Sequence, residues 1–220
     1  MMKNVWITGA GTGLGRALAL TYAQKGYKIF LSGRTTKQLQ ITQSDIHESG
    51  GKAEVIVCDI TEPASIKEAM KQIDTLHVVI NNAGLGYFGE LANFTEAQVD
   101  QILDTNIKGT ILVTQYALPL LEKSSGRVLN IISTAGLRGK KNESIYCASK
   151  FAVRGFTESL HKEWEETDMS ATAVYMGGMN TPFWADTDHV GNPAKLKGPE
   201  VVAEKIFAQD DGRKEIFIDR

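Results

Sequence analysis

No apolar run in this chain approaches the roughly 20 residues that a membrane-spanning helix needs, so no transmembrane segment is expected. Cysteine is scarce: Cys58 and Cys147 are the only two in 220 residues, and their spacing suits neither a disulfide framework nor a metal site. Both read as small buried residues of a protein kept in a reducing cytosol. The four histidines, His47, His77, His161 and His189, are scattered, and no catalytic metal is predicted. An excess of one charge is also missing. With 24 Lys and Arg against 26 Asp and Glu, the net charge is −2. That excludes the basic footprint of a nucleic-acid binder or of a protein held on an anionic membrane. The N-terminus lacks the h-region of a signal peptide, because the apolar stretch Val5 to Thr8 is short and runs straight into glycines. A cytoplasmic location is expected. There is no internal repeat, linker or low-complexity tract, so residues 1–220 are expected to form one domain.

What is present is an alternation of strand-like and helix-like segments from end to end. Strands are expected at Lys3–Thr8, Lys28–Ser32, Ala53–Val57, Leu76–Ile80, Arg127–Ile132, Ala171–Tyr175 and Glu215–Ile218. Helices are expected up to about Gly26, then over 36–48, 63–73, 95–121, 146–166 and 199–208. Such alternation predicts an α/β fold, a single Rossmann-type domain with a doubly wound parallel sheet and helices on both faces.

Between the first strand and the first helix lies Gly9-Ala10-Gly11-Thr12-Gly13-Leu14-Gly15. Glycines permit a tight turn and let backbone amides approach a pyrophosphate, whose charge then sits at a positive helix N-terminus. Strand, glycine turn and helix is the context of a dinucleotide fingerprint. In such folds an acid ending the second strand grips the ribose hydroxyls and selects NAD. Residues 16 to 44 contain no Asp or Glu, and the position reads Ser32-Gly33-Arg34-Thr35. Arg34 can hold a 2′-phosphate through a planar guanidinium, although a solvated surface arginine would look the same. NADP(H) is expected over NAD(H).

Tyr146 and Lys150 stand four residues apart on an expected helix, hence on one face. A cation beside a phenol is expected to draw its pKa below the ordinary value of about 10. A phenol so tuned can pass a proton to or from an alcohol or carbonyl oxygen. Ser133 lies thirteen residues upstream of Tyr146.

Together, the loop Thr8-Gly9-x-x-x-Gly13-x-Gly15, the run Asn81-Asn82-Ala83-Gly84, Ser133 and Tyr146-x-x-x-Lys150 resemble the short-chain dehydrogenase/reductase family in order and spacing. The resemblance spans residues 8 to 150. It implies hydride transfer between a nicotinamide and a carbonyl or alcohol carbon, with Tyr146 as general acid or base. Lys150 would tune Tyr146 and hold the nicotinamide ribose, and Ser133 would donate to the substrate oxygen. Asn106 matches the asparagine that holds a water behind the lysine, though a surface asparagine remains an alternative. Gly9, Thr12, Gly13, Leu14 and Gly15 would hold the pyrophosphate. Asp59, followed by Ile60, matches the position that meets the adenine, where a helix-capping aspartate would look alike. Asn82, Ala83 and Gly84 would pass beside the adenine ribose, and Thr181 would bond the carboxamide.

The sequence departs from the family pattern in three places. Met176 stands where a proline is usual, which implies a looser turn before Thr181. The expected lid, 183–198, is short and mixes Phe183 and Trp184 with Asp186, Asp188 and His189. Leu85, Tyr87, Phe88, Leu137 and Arg138 are further candidates for the pocket border, and a core role for Phe183 and Trp184 is equally open. The sequence stops at Ile216-Phe217-Ile218-Asp219-Arg220, short of the glycine-rich ending of many relatives, so a homodimer through helices 95–121 and 146–166 is expected rather than the usual tetramer. A non-catalytic dinucleotide sensor or scaffold would need the glycine loop but not Ser133, Tyr146 and Lys150 together. A methyltransferase would leave the same three residues and Arg34 unexplained.

Overall fold

Short apolar segments that bury both faces become the centre of the molecule. In the computed structural model, which describes residues 2–218, seven parallel strands form one sheet. They are β1 (Asn4–Thr8), β2 (Lys28–Gly33), β3 (Lys52–Val57), β4 (Val78–Asn81), β5 (Arg127–Ile131), β6 (Ser170–Tyr175) and β7 (Glu215–Phe217). Their order is β3-β2-β1-β4-β5-β6-β7. Met1, Asp219 and Arg220, at the ends of the expected domain, lie outside the described residues.

Side chains of a strand alternate between faces, and a parallel sheet is covered on both. Val5 and Ile7 of β1 therefore enter one core, together with Leu14 and Leu18 of helix α1 (Gly13–Gln24) and Val202 of α7 (Pro199–Phe207). Leu39 and Ile46 of α2 (Thr36–Glu48) complete that layer. Trp6, between Val5 and Ile7, enters the opposite core. There it meets Ile66 of α3 (Pro63–Met70), Val113 and Leu121 of α5 (Thr110–Ser124) and Leu160 of α6 (Ser144–Glu163). Arg127 at the start of β5 forms a two-pronged ion pair with Asp210, at 2.6 Å for each bond, and the Tyr22 hydroxyl of α1 donates to the same carboxylate. The Asp210 side chain is fully buried, so the pair fastens the segment after α7 to the sheet. No helix among the described residues is long and apolar enough to cross a membrane.

The strand order reverses between β1 and β4, and ligands of open α/β sheets bind beyond the carboxyl ends at such a point. Both neighbouring turns are held there by backbone approach. Thr8 Oγ1 accepts from the amides of Asn82 and Ala83, each at 3.1 Å. Asn82 Nδ2 donates to the carbonyls of Thr8 and Gly9 at 3.0 and 3.2 Å. A Cβ on Gly15 would overlap the Gly9 carbonyl oxygen and lie 2.5 Å from Asn82 Nδ2. Only a residue with no side chain lets α1 come this close to β1 and β4.

The expected helix over 95–121 is in fact three pieces. α4 (Glu96–Ile102) starts with a reciprocal Thr95–Gln98 capping box, a π-helical segment follows over Leu103–Gly109, and α5 completes the run. The three pieces follow one another without a gap, Ile102 to Leu103 and Gly109 to Thr110, which is why the run reads as one helix. Elsewhere the ends shift: β4 begins at Val78 and not Leu76, α3 ends at Met70, and α6 spans Ser144–Glu163 instead of 146–166.

Gly15→Ala is expected to cost about 3 kcal/mol through overpacking. The urea midpoint should fall by about 1 M, and an unchanged midpoint would show that α1 can move away from β1.

Candidate active site

The glycine turn closes one end of a cleft of about 600 Å³ at the switch point. Gly9 and Gly13 adopt φ of +65° and +53°, a left-handed conformation that glycine accepts without strain. The first turn of α1 carries no acidic residue, and the Thr12 side chain makes no capping bond there. Its amides therefore face the cleft as an anion site. Gly9, Thr12, Leu14 and Gly15 line the cleft, as do Arg34, Asp59, Ile60 and residues 82–84. Thr181 lies against Gly13, where a Cβ would come within 3.3 Å of the threonine Cβ. Arg34 is exposed at the rim.

At the other end stand Ser133, Tyr146 and Lys150. Ser133 leaves β5 with φ +120° and ψ 157°, a conformation that costs a non-glycine residue of order 1–3 kcal/mol. It is held by its neighbours: Ile132 and Thr134 donate to the carbonyls of Val174 and Met176, each at 2.9 Å. Ser133 Oγ accepts from the Ala135 amide at 3.2 Å. Lys150 is buried, and its Nζ donates to the Ile131 carbonyl at 2.9 Å. The ammonium stands 5.7 Å from the Tyr146 ring centre.

Asn106 sits behind this pair, inside the π segment, and does not line the cleft. Its Nδ2 donates to the Leu85 carbonyl at 2.9 Å and to Ser149 Oγ at 3.0 Å, while Oδ1 accepts from the Leu85 amide at 2.9 Å. Gly84 makes room for it: a Cβ there would lie 3.2 Å from Asn106 Oδ1 and 3.7 Å from Lys150 Nζ.

A dinucleotide cradle and a Ser–Tyr–Lys set in one cleft call for comparison with known proteins. The family model of short chain dehydrogenases matches residues 3–190. This chain belongs to that family. Sepiapterin reductase of Chlorobaculum tepidum is 34% identical over 220 residues, covering 94% of this chain and 90% of that protein. An uncharacterized oxidoreductase of Staphylococcus aureus (strain N315) is 34% identical over 212 residues, covering 93% and 89%. An alcohol dehydrogenase from the archaeon Thermococcus sibiricus, solved in complex with 5-hydroxy-NADP, superposes with a TM-score of 0.90 at 25% identity, covering 99% of this chain and 96% of that one. The protein is thus a short-chain oxidoreductase that uses a nicotinamide dinucleotide, and its glycine cradle fits such a group.

One electrostatic expectation fails within this family site. Tyr146 is not drawn below the ordinary phenol pKa but pushed well above it, first by burial, with Glu143 and Cys147 adding to the rise. A hydrogen bond with the Ser133 side chain acts in the opposite direction. Burial also lowers Lys150 from its ordinary 10.5 to about 8. With Nζ turned to the Ile131 carbonyl, desolvation outweighs the attraction between cation and phenolate that the i, i+4 spacing suggests.

The border of the site differs from expectation as well. Leu85 lines the cleft, but Leu137 and Arg138 do not. Leu137 packs beside Ile132 and Val153. Met176 is buried in the main core, and its carbonyl holds the Thr134 amide, so the turn is anchored there without proline. Asp59 Oδ1 accepts from the amide and hydroxyl of Thr61 at 3.0 and 2.8 Å, an Asx turn at the mouth of the cleft. Phe183 and Trp184 are not core residues. With Phe88 they form a ring cluster against Tyr146, the Phe88 and Phe183 centres lying 5.5 and 5.9 Å from that of the tyrosine. Sequence reading missed Glu143, which lines the cleft three residues before Tyr146, a helical spacing that could have revealed it. His189 was placed in the lid by the sequence, but its pairing with Glu143 has no local signal.

A lysine amine shifted from 10.5 to about 8 favours the neutral form by roughly 3 kcal/mol. Between those two pH values the unfolded chain binds more protons, so stability rises with pH across the window and the burial cost is complete below it. Lys150→Met is therefore expected to raise the Tm of the coenzyme-free protein at pH 7 by about 5 °C. The difference from wild type should shrink from pH 8 to pH 10.5, and a lower Tm at pH 7 would contradict the assigned burial cost.

Proposed function

We propose that this chain is an NADP(H)-dependent carbonyl reductase or alcohol dehydrogenase in which Tyr146 moves the proton. The observation that carries this reading is the meeting of Ser133, Tyr146 and Lys150 with the glycine turn in one cleft. When bound, the nicotinamide coenzyme supplies or accepts the hydride. The protein's part is to hold, orient and protonate.

The uncapped amides at the start of α1 hold the pyrophosphate. Arg34, exposed at the rim in a stretch with no carboxylate from residue 16 to residue 44, favours a 2′-phosphate. Residues 82–84 flank the adenine ribose, Asp59 and Ile60 the adenine, and Thr181 the carboxamide. Tyr146 O–H gives its proton to the carbonyl oxygen during reduction and takes it back during oxidation. Ser133 donates a second hydrogen bond as charge develops on that oxygen. A phenol held protonated by burial is suited to the acid role. Lys150, near pKa 8, favours phenolate while charged and holds the ribose hydroxyls. Asn106 keeps the 84–85 turn and α6 in register, and so acts by positioning Lys150. The reductase and dehydrogenase named among the relatives support this reaction class. Leu103, Ile111 and Phe151, all exposed on the 103–124 and 144–163 helices, support a homodimer through those helices.

Tyr146→Phe should bind NADPH as wild type does yet lose at least about 100-fold in kcat, measured with any ketone the wild type reduces. Retained turnover would remove Tyr146 from the proton step. Arg34→Asp should weaken NADPH binding by about 10- to 100-fold and turn the preference to NADH. Unchanged selectivity in direct titrations would leave Arg34 a surface charge.

A further inference from the structure

The lid has a fixed base and a fixed tip. Its ends meet in a bridge between Met179 and Lys197, and the Asn180 amide donates to the Lys197 carbonyl at 2.9 Å. Between them only short 3-10 turns, Pro182–Trp184 and Pro193–Lys195, give regular structure. Side chains must therefore set where the tip lies. His189 supplies that anchor: its Nε2 is 3.0 Å from Glu143 Oε1, and both side chains are largely withdrawn from solvent. The other carboxylate oxygen of Glu143 lies 3.7 Å from Lys140 Nζ. The Glu143 carbonyl accepts from the Cys147 amide at 2.7 Å, which fixes the residue to the first turn of the helix that carries Tyr146.

The same imidazole lies flat on Phe88, with centres 4.6 Å apart and planes 9° from parallel. Phe88 in turn meets Trp184 at 5.2 Å and presents its ring to Tyr146 at 5.5 Å. Trp184 is held by an Nε1 bond to the Met179 carbonyl at 2.9 Å. On the far side of Phe88 and Phe183 lies a second cavity of about 460 Å³, bordered by Arg34, Glu90 and Asp186. Phe183 borders both that cavity and the catalytic cleft, which Trp184 and His189 also line, while Phe88 backs these rings from the side of the second cavity.

We propose that Glu143 and His189 form a clasp that positions the lid against the catalytic helix, and that the Phe183–Trp184 wall it fixes, backed by Phe88, selects carbonyl compounds with a flat, apolar ring body. The inference rests on the oxidoreductase reading above. A hydrogen bond between imidazole and a largely buried carboxylate is stronger than an exposed ion pair, and flat rings pack on aromatic faces at the distances seen here. Neither residue touches the reacting atoms in this account; both are positioning residues.

The test needs no substrate for its first readout. Trp6 and Trp164 are buried at 0% and 7% exposure, so acrylamide quenching of tryptophan fluorescence reports chiefly Trp184 in the lid. Glu143→Ala and His189→Phe, the second keeping a ring on Phe88, should each raise the quenching constant about twofold. Each should also raise KM for 2-acetylnaphthalene about tenfold, the loss of one such bond. The KM for 2-butanone and NADPH affinity should stay near wild type in both, and kcat should stay near wild type in His189→Phe. Glu143→Gln, whose amide oxygen still accepts from the imidazole, should restore both readouts. Wild-type quenching and KM in His189→Phe would overturn the clasp, even if Glu143→Ala fails to fold. If quenching responds as expected while wild type itself reduces no ketone, the clasp stands and the catalytic reading falls.

Discussion

The approach of α1 to the ends of β1 and β4 is the constraint from which the rest of the site follows. Gly15 has no room for a methyl group against the Gly9 carbonyl and the Asn82 amide. Because the helix comes so near, its first amides open directly into the crevice at the strand-order reversal. Asn82 and Thr8 seal the junction with four hydrogen bonds, at 3.0, 3.1, 3.1 and 3.2 Å. The same economy of space recurs two residues on, where the bare backbone of Gly84 lets Lys150 and Asn106 converge behind the cleft.

The chemical end of the cleft works against folding. Ser133 holds a backbone conformation that costs of order 1–3 kcal/mol, and Lys150 is buried with a carbonyl as its hydrogen-bond partner. The surrounding fold tolerates both because it over-determines them. β5 and β6 clamp the residues on each side of Ser133, and the two cores either side of the sheet are continuous. The buried Arg127–Asp210 pair, at the opposite end of β5, keeps that strand tied to the segment after α7. Strain collected at the carboxyl ends and support at the amino ends is the arrangement expected where an active site is built on a rigid sheet.

Local chemistry was readable from sequence, and through-space chemistry was not. The glycine turn, the strand before it and the helix after it are consecutive in the chain, and the i, i+4 spacing of Tyr146 and Lys150 carries its own geometry. Both ends of the cleft were legible for that reason. The π segment around Asn106 was hidden because it joins α4 and α5 without a gap. Glu143 and His189 lie 46 residues apart, and no pattern in the sequence joins them. The pKa of Tyr146 was misread for a different reason. Its spacing names the neighbouring cation but does not say how far both groups are withdrawn from water, and withdrawal is the larger effect.

The central claim is that this cleft binds a nicotinamide dinucleotide through the glycine turn and favours the phosphorylated form through Arg34. Titration of the wild-type protein with NADPH and, separately, NADH tests it most directly, following energy transfer from tryptophan to the reduced nicotinamide. Saturable binding of both is expected, with NADPH at least about tenfold tighter, a difference of about 1.4 kcal/mol. Tighter binding of NADH would contradict the role given to Arg34, and binding of neither would contradict the account as a whole.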